Sequence, residues 1–402
     1  MAHHPRALSQ WAAEVSTHMP HLSKRQVMGV ALYSFGMVIT QRCGISSIVC
    51  FLSGVLGKKE NTLRQQLREV TYEACAKRGN KRREIDVRVC FAPLLRWIIS
   101  WWKTDEPRIT IALDASTLGQ RFTVLSVSVM YRGCALPVAW VVLAATKKGA
   151  WMPHWKRLLR DLRGAVPLDW PVIVLTDRGL YSKTLYRAIQ RNGWHPMMRI
   201  NAQGLYRRDG QLQFRPIADL LPMPNTIWYG HVDCFKTDEA RLPCTLLAHW
   251  DAGFAEPWLL VTDLDPEVAD STWYAMRMWI EHGFKDCKRG GFRWEQTKMT
   301  DPARATRLWL IIALATIWAV SVGGDIDHTL SASGLDGALP PGQVTMPRRL
   351  SVFTRGLLTI LAHLVRYGEC RVGRFWPEPW PQLPFVRAFL VPFWQGGHYV
   401  LY

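Results

Sequence analysis

The chain predicts an α/β fold: a mixed sheet covered by helices, interrupted by an all-β insertion, with a helical region before it and a mostly helical region after it. Three observations lead there. From Pro107 onward, β-branched runs and helical stretches alternate in the order βββαβαβ. From about Ala202 to Pro266 the pattern is strand only, with no helix of useful length. The first hundred residues show spaced apolar positions and no strand alternation.

The elements follow in order. In the N-terminal region, short helices meet at Gly57 and Asn61, and Asn61 is the expected cap of a helix carrying Arg64 and Arg68. A helix with exposed arginines behind a tight turn suits a helix-turn-helix-like DNA reader, and an ordinary helical bundle with a solvated face is the competing reading. The run "KRGNKRRE" predicts a basic loop able to touch phosphates without reading bases. "RITIALDAS", "RFTVLSVSVMY" and "CALPVAWVVLA" predict an antiparallel meander turning at Tyr131-Arg132-Gly133. A helix over about 151–163 follows, then "PVIVLTDRG", a strand buried on both faces. "YSKTLYRAIQRN" and "WHPMMRIN" add a helix and a strand, and "LYRRDGQLQF" a hairpin turning at Asp209-Gly210. Helices over 270–323 precede a Gly/Pro/Ser/Asp-rich linker, an amphipathic basic helix over 348–366 and an irregular Trp/Pro-rich tail. The expected regions are 1–104, 105–201, the insertion 202–269, 270–325 and 326–402.

With 402 residues and a net charge of +18, the chain is folded and suited to a polyanionic partner, nucleic acid first. The excess sits at the ends: residues 1–103 hold 16 Lys/Arg against 6 Asp/Glu, and 340–402 hold 7 against 2. Nine cysteines without a CxxC argue against a zinc knuckle or disulfide frame and fit reduced thiols in a bacterial cytoplasm. "LWLIIALATIWAVSV" falls short of the ~20 residues of a membrane span, so a buried helix is expected and no membrane. The twenty tryptophans are expected mainly in the core.

Chemistry centres on three carboxylates. Asp114 follows the strand "ITIAL" and Asp177 follows "VIVLT", both at strand ends where open α/β sheets place their sites. The third, Glu281, lies in "YAMRMWIEHGFKDCK". There Tyr274, Arg277, Glu281 and Lys288 stand at offsets 0, 3, 7 and 14, which at ~100° per residue form one narrow helical stripe. Three converging carboxylates suit two Mg²⁺ or Mn²⁺ ions about 4 Å apart. Arg277, Lys288 and Tyr274 would then hold phosphates. An ordinary i,i+4 pair of Arg277 with Glu281 is the structural alternative.

The spacing Tyr274-x₂-Arg277-x₃-Glu281-x₆-Lys288 resembles the YREK signature of the IS4 family of DDE transposases, with "ALDAS" and "TDRG" resembling its two acidic motifs. The resemblance spans about 107–325. It implies an RNase H-like catalytic domain with a β insertion, binding of terminal inverted repeats by a homodimer, and metal-dependent strand cleavage and transfer, cut-and-paste with a possible hairpin intermediate. It also implies that an aromatic in the insertion stacks on an extruded base, for which Trp228, Trp250 and Trp258 are all candidates. A relative has tryptophan directly after the signature arginine; here Met278 stands there, and Trp279 follows. Arg178 is suited either to a phosphate or to a carboxylate. Two other readings stay open: an RNase H-like DNA nuclease without strand transfer, and a catalytically silent DNA-binding descendant.

Overall fold

The computed structural model describes residues 5–77, 83–146, 150–332, 349–382 and 399–400. In chain order the helices are α1 (Arg6–His18), α2 (Lys24–Thr40), α3 (Ile45–Leu56), α4 (Glu60–Thr71), α5 (Phe91–Trp101), α6 (Met152–Asp161), α7 (Lys183–Gln190), α8 (Trp279–Cys287), α9 (Pro302–Ala332) and α10 (Val352–Tyr367). The strands are β1 (Ile109–Leu118), β2 (Phe122–Tyr131), β3 (Cys134–Ala144), β4 (Val172–Thr176), β5 (His195–Arg199), β6 (Leu205–Arg208), β7 (Arg215–Pro216), β8 (Thr226–Cys234), β9 (Leu242–Trp250) and β10 (Trp258–Thr262). The expected order βββαβαβ is therefore the order from β1 to β5. The chain divides into two compact bodies.

The first body draws on Met1–Glu106, Ala115–Pro167 and Trp279–Glu378. Its centre is α9, which packs against α2, α4, α10 and β3. By length and apolar character α9 would suffice to cross a membrane, unlike the shorter helix expected, but 94% of its most apolar stretch is buried inside the protein. Tryptophans fill the space around it: Trp11 stacks on Trp318 at 4.6 Å, and Trp11 Nε1 donates to Ser34 Oγ at 2.8 Å. The Trp11 indole thus hides a large apolar area while its N–H finds a partner. Arg307 of α9 is buried and donates to Thr71 O, Ile85 O and Glu84, tying the helix to the N-terminal region. β2 and β3 form an antiparallel hairpin whose two-residue turn places both Arg132 (φ 44°) and Gly133 (φ 78°) at positive φ, the form that matches strand twist. Arg132 is held there by a buried ion pair with Asp327, 2.7 Å away.

The second body draws on Pro107–Asp114, Leu168–Met278 and Pro379–Tyr402. Its strands run in the order β1, β4, β5, β10, β9, β8, β6, β7. The first five residues of β1, with β4 and β5, are parallel; the strands beyond β5 are antiparallel. The strands expected as an insertion thus continue the same sheet through the β5–β10 pair.

Three local expectations change. α4 starts at Glu60 with extended Lys59 before it, so Asn61 is inside the helix and not its cap. The αL residue Gly57 ends α3 and leaves two lysines for the turn. In the hairpin after β5, the returning strand is only Arg215–Pro216, and β6 finds its longer partner in β8. The basic run "KRGNKRRE" lies in part outside the described residues, as does most of the expected linker. The linker's beginning is helical, since α9 continues through Gly323-Gly324 to Ala332. These glycines serve close approach. A Cβ on Gly323 would lie 1.9 Å from Val352 O, and one on Gly356 of α10 would lie 1.7 Å from Ala319 O.

Gly356→Ala is therefore expected to force α9 and α10 apart and to lower stability by about 1–3 kcal/mol, the usual scale of overpacking. Gly54→Ala on exposed α3, where an added methyl meets nothing within 4 Å, is expected to stabilise by about 0.4–1 kcal/mol. Urea-unfolding midpoints of the two variants should move in opposite directions.

Candidate active site

β1 and β4 run parallel in a register that pairs Ile109 with Val172 and, at its end, Leu113 with Thr176. The next residue on each strand is an aspartate, Asp114 and Asp177. Neighbouring strands lie ~4.8 Å apart, so parallel register alone brings the two carboxylates side by side. β1 itself runs on to Leu118, so Asp114 ends the pairing with β4 and not the strand. Asp177 caps a 3₁₀ turn, accepting from Leu180 N at 3.0 Å.

A guanidinium answers them. Arg277 Nη2 donates to Asp114 Oδ2 at 2.7 Å and lies 3.8 Å from Asp177 Oδ2. Arg277 belongs to a 3₁₀ stretch, Ser271–Met278. At three residues per turn, Tyr274 and Arg277 are eclipsed on one side. Tyr274 is buried and donates to Thr176 O at 3.3 Å, the carbonyl just before Asp177. Burial pushes its phenol up to about 12, against the opposing effect of Arg277 and Arg199, so the hydroxyl keeps its proton. Tyr274 was expected on a phosphate; the structure gives it the backbone of β4 instead, because its ring packs edge-on to Trp258 at 5.4 Å.

The start of the stretch is fastened by side chains that sequence reading did not single out. Ser271 N donates to Tyr229 Oη at 3.0 Å, and Ser271 Oγ lies 2.7 Å from His249 Nδ1. His249 Nε2 is 2.9 Å from Asp251 Oδ1. The Asp–His–Ser order resembles a hydrolase triad, but Ser271 is fully buried, so its hydroxyl anchors the chain and offers no nucleophile to solvent. Tyr229 comes from β8, His249 from β9, Asp251 from just beyond it and Ser271 from the 3₁₀ stretch, and no spacing in the sequence announces them.

In the other body, Glu281 stands exposed in the first turn of α8. α8 packs on β3, where Gly283 lets the helix approach Ala135: a Cβ there would sit 2.7 Å from that of Ala135. Lys288 follows the end of α8, and its ammonium donates to Ser116 Oγ at 2.7 Å and Thr117 O at 2.9 Å. Its partial burial lowers the affinity of the amine for its proton. The single helical stripe expected from Tyr274 to Lys288 is thus replaced by a 3₁₀ stretch, α8 and a residue beyond it.

The other candidates are spread out. Arg178 pairs with Glu256 at 3.3 Å, as does Arg199, which is the carboxylate alternative of the two expected. Arg64 pairs with Glu60 and reaches Ser46, while Arg68 is exposed in the last turn of α4. Trp228 is buried beneath the Arg208 guanidinium, and Trp250 donates to Phe254 O. Of the three tryptophans, Trp258 is the one that touches Tyr274.

Residues 105–318, just over half of the chain, match the family described as Transposase DDE domain. The chain belongs to that family. The matched span of this transposase domain contains both aspartates, Glu281 and the Tyr274–Lys288 spacing. Among solved structures, the piggyBac transposase synaptic complex with hairpin DNA, seen by cryo-electron microscopy, is similar at 13% identity with a TM-score of 0.41. The likeness covers 89% of this chain and 78% of that one. No curated protein matches.

DDE domains in general use divalent metal ions. In this one, two carboxylates close enough to attract one guanidinium offer the hard oxygen donors that Mg²⁺ or Mn²⁺ prefer. Among the described residues, no three His, Cys, Asp or Glu side chains gather as a metal cluster.

Asp286, in the last turn of α8, has its carboxyl pushed up to about 7 by burial. The unfolded chain ionises this group near its ordinary value of 3.8, so the folded state loses stability as pH rises from about 4 to 7. Asp286→Asn, which fixes the neutral shape, is expected to raise the urea midpoint at pH 8 and to leave it nearly unchanged at pH 4.

Proposed function

We propose that the chain is the DNA transposase of an insertion sequence. It binds terminal inverted repeats in double-stranded DNA as a homodimer and cuts and joins strands with a divalent metal. One observation carries this reading: within a transposase DDE domain, Asp114 and Asp177 occupy matching positions just past the paired part of two adjacent parallel strands and share one arginine. Asp114, Asp177 and, by its place in the signature spacing, Glu281 would hold the metal. When bound, Mg²⁺ or Mn²⁺ lowers the pKa of an attacking water and stabilises the leaving 3′ oxygen.

The chain's own residues supply the rest. Tyr274 fixes the end of β4 from which Asp177 projects. Arg277 and Lys288 carry the positive charge that meets the phosphates of a bound strand. Trp258 is the favoured base-stacking side chain, worth about 1–3 kcal/mol per base where it stacks. A hairpin step rests on that stacking; exposed Met278, in the place of a relative's tryptophan, departs from the pattern that would support it. The pair α3 and α4, joined at Gly57 with Lys58, Lys59, Arg64 and Arg68 nearby, supports the reading of a duplex-binding module.

The test uses a labelled duplex carrying the inverted repeat that flanks the gene. The wild-type protein is expected to nick it at the repeat end only with Mg²⁺ or Mn²⁺. Asp114→Asn, Asp177→Asn and Glu281→Gln are each expected to retain end binding and to lose cleavage by at least about a hundredfold, the scale on which removing one preorganised charge acts. Cleavage at the wild-type rate in the aspartate variants would sink the reading. Cleavage of any duplex without end preference would replace the transposase with a plain nuclease.

A further inference from the structure

Arg277 places a positive charge against both of the aspartates read as metal ligands. Its guanidinium is 2.7 Å from one aspartate and 3.8 Å from the other, with the side chain 14% exposed. Its backbone has little freedom to retreat. Ser271 is tied to Tyr229 and His249, Tyr274 to Thr176, and Met276 Sδ to Thr110 Oγ1 at 3.8 Å. Two ionised carboxylates this close repel unless a positive charge lies between them. An arginine cannot meet that need and then withdraw it by losing its proton, because guanidinium stays charged throughout the working pH range. It can only move its side chain.

We propose that Arg277 is an internal counter-ion that competes with the divalent cation for Asp114 and Asp177, so that metal loading frees the guanidinium to meet a phosphate. The proposal rests on the reading of the two aspartates as metal ligands. It makes the arginine a brake on metal binding in the protein without DNA. A phosphate that accepts the freed guanidinium then favours metal loading, and metal favours the phosphate, since such coupling is reciprocal.

The experiment is a Mn²⁺ titration of the full-length protein, followed by electron paramagnetic resonance, for wild type, Arg277→Gln and Arg277→Lys, with Asp114→Asn as reference. Thermal unfolding is read alongside in EDTA and in saturating Mg²⁺. Arg277→Gln is expected to bind Mn²⁺ about tenfold more tightly than wild type, the loss of one charge-assisted hydrogen bond from the metal-free state. It is also expected to unfold at a lower temperature than wild type in EDTA and at a similar temperature in Mg²⁺. Arg277→Lys keeps the charge without the fork, and its affinity should rise by a smaller factor, about threefold. This variant is decisive if Arg277→Gln does not fold. Equal or weaker Mn²⁺ binding in the folded arginine variants, beside normal binding by wild type, would overturn the counter-ion and leave the metal site standing. No Mn²⁺ binding by wild type, with Asp114→Asn indistinguishable from it in both buffers, would overturn the metal reading and the inference together.

Discussion

The parallel register of β1 and β4 is the constraint on which the site depends. Once Leu113 pairs with Thr176, the next residue on each strand is an aspartate, and two negative charges are forced together. The sheet cannot relieve that repulsion, because β4 is buried along its whole length and β1 along the paired part. A positive charge has to come from elsewhere in the chain. The 3₁₀ stretch Ser271–Met278 delivers it, and the surrounding side chains make sense as means of holding that stretch in place. Tyr274 presses on the end of β4, Met276 meets Thr110 of β1, and the Asp251–His249–Ser271–Tyr229 chain pins the beginning.

Close approach plays the corresponding part in the first body. Gly323 and Gly356 let α9 and α10 pack backbone to backbone, and Gly283 does the same for α8 on β3. At such distances the contact is rigid, because backbone atoms cannot change rotamer to relieve a misfit. The placement of Glu281 and Lys288 within that body follows from how α8 seats on β3 and how Lys288 reaches Ser116 and Thr117.

Much of this was legible in the sequence. Strand alternation gave β1 to β3, apolar continuity gave β4, and both aspartates were placed at the ends of those runs. Those features are local, and local patterns survive without knowledge of the fold. What failed was equally physical. A Gly-Gly pair carries the same composition whether it opens a linker or lets two helices touch, so α9 was ended too early. Asn61 is a good cap by residue type, but α4 begins one residue earlier, at Glu60 after extended Lys59. The anchors Tyr229 of β8, His249 of β9 and Ser271 of the 3₁₀ stretch meet through tertiary packing, which periodicity cannot report. A tyrosine on a charged edge reads as exposed in the sequence, whereas in the structure Tyr274 is buried beside Trp258.

The signature itself reads differently once its two halves are separated. As one α-helix, Tyr274 to Lys288 would be a stripe of constant direction. Instead the three-residue step from Tyr274 to Arg277 is one turn of 3₁₀ helix, which places both side chains toward β4 and the aspartates. The seven-residue step from Glu281 to Lys288 is close to two turns of α-helix, long enough to put the glutamate in the first turn of α8 and the lysine just past its end. The fixed spacings therefore satisfy two different helical periods in succession. A residue inserted between Tyr274 and Arg277 would break the eclipsed pair that serves the aspartates, and one inserted between Glu281 and Lys288 would rotate the lysine away from Ser116. Each spacing is constrained by its own half of the stretch, the first by the 3₁₀ turn and the second by α8.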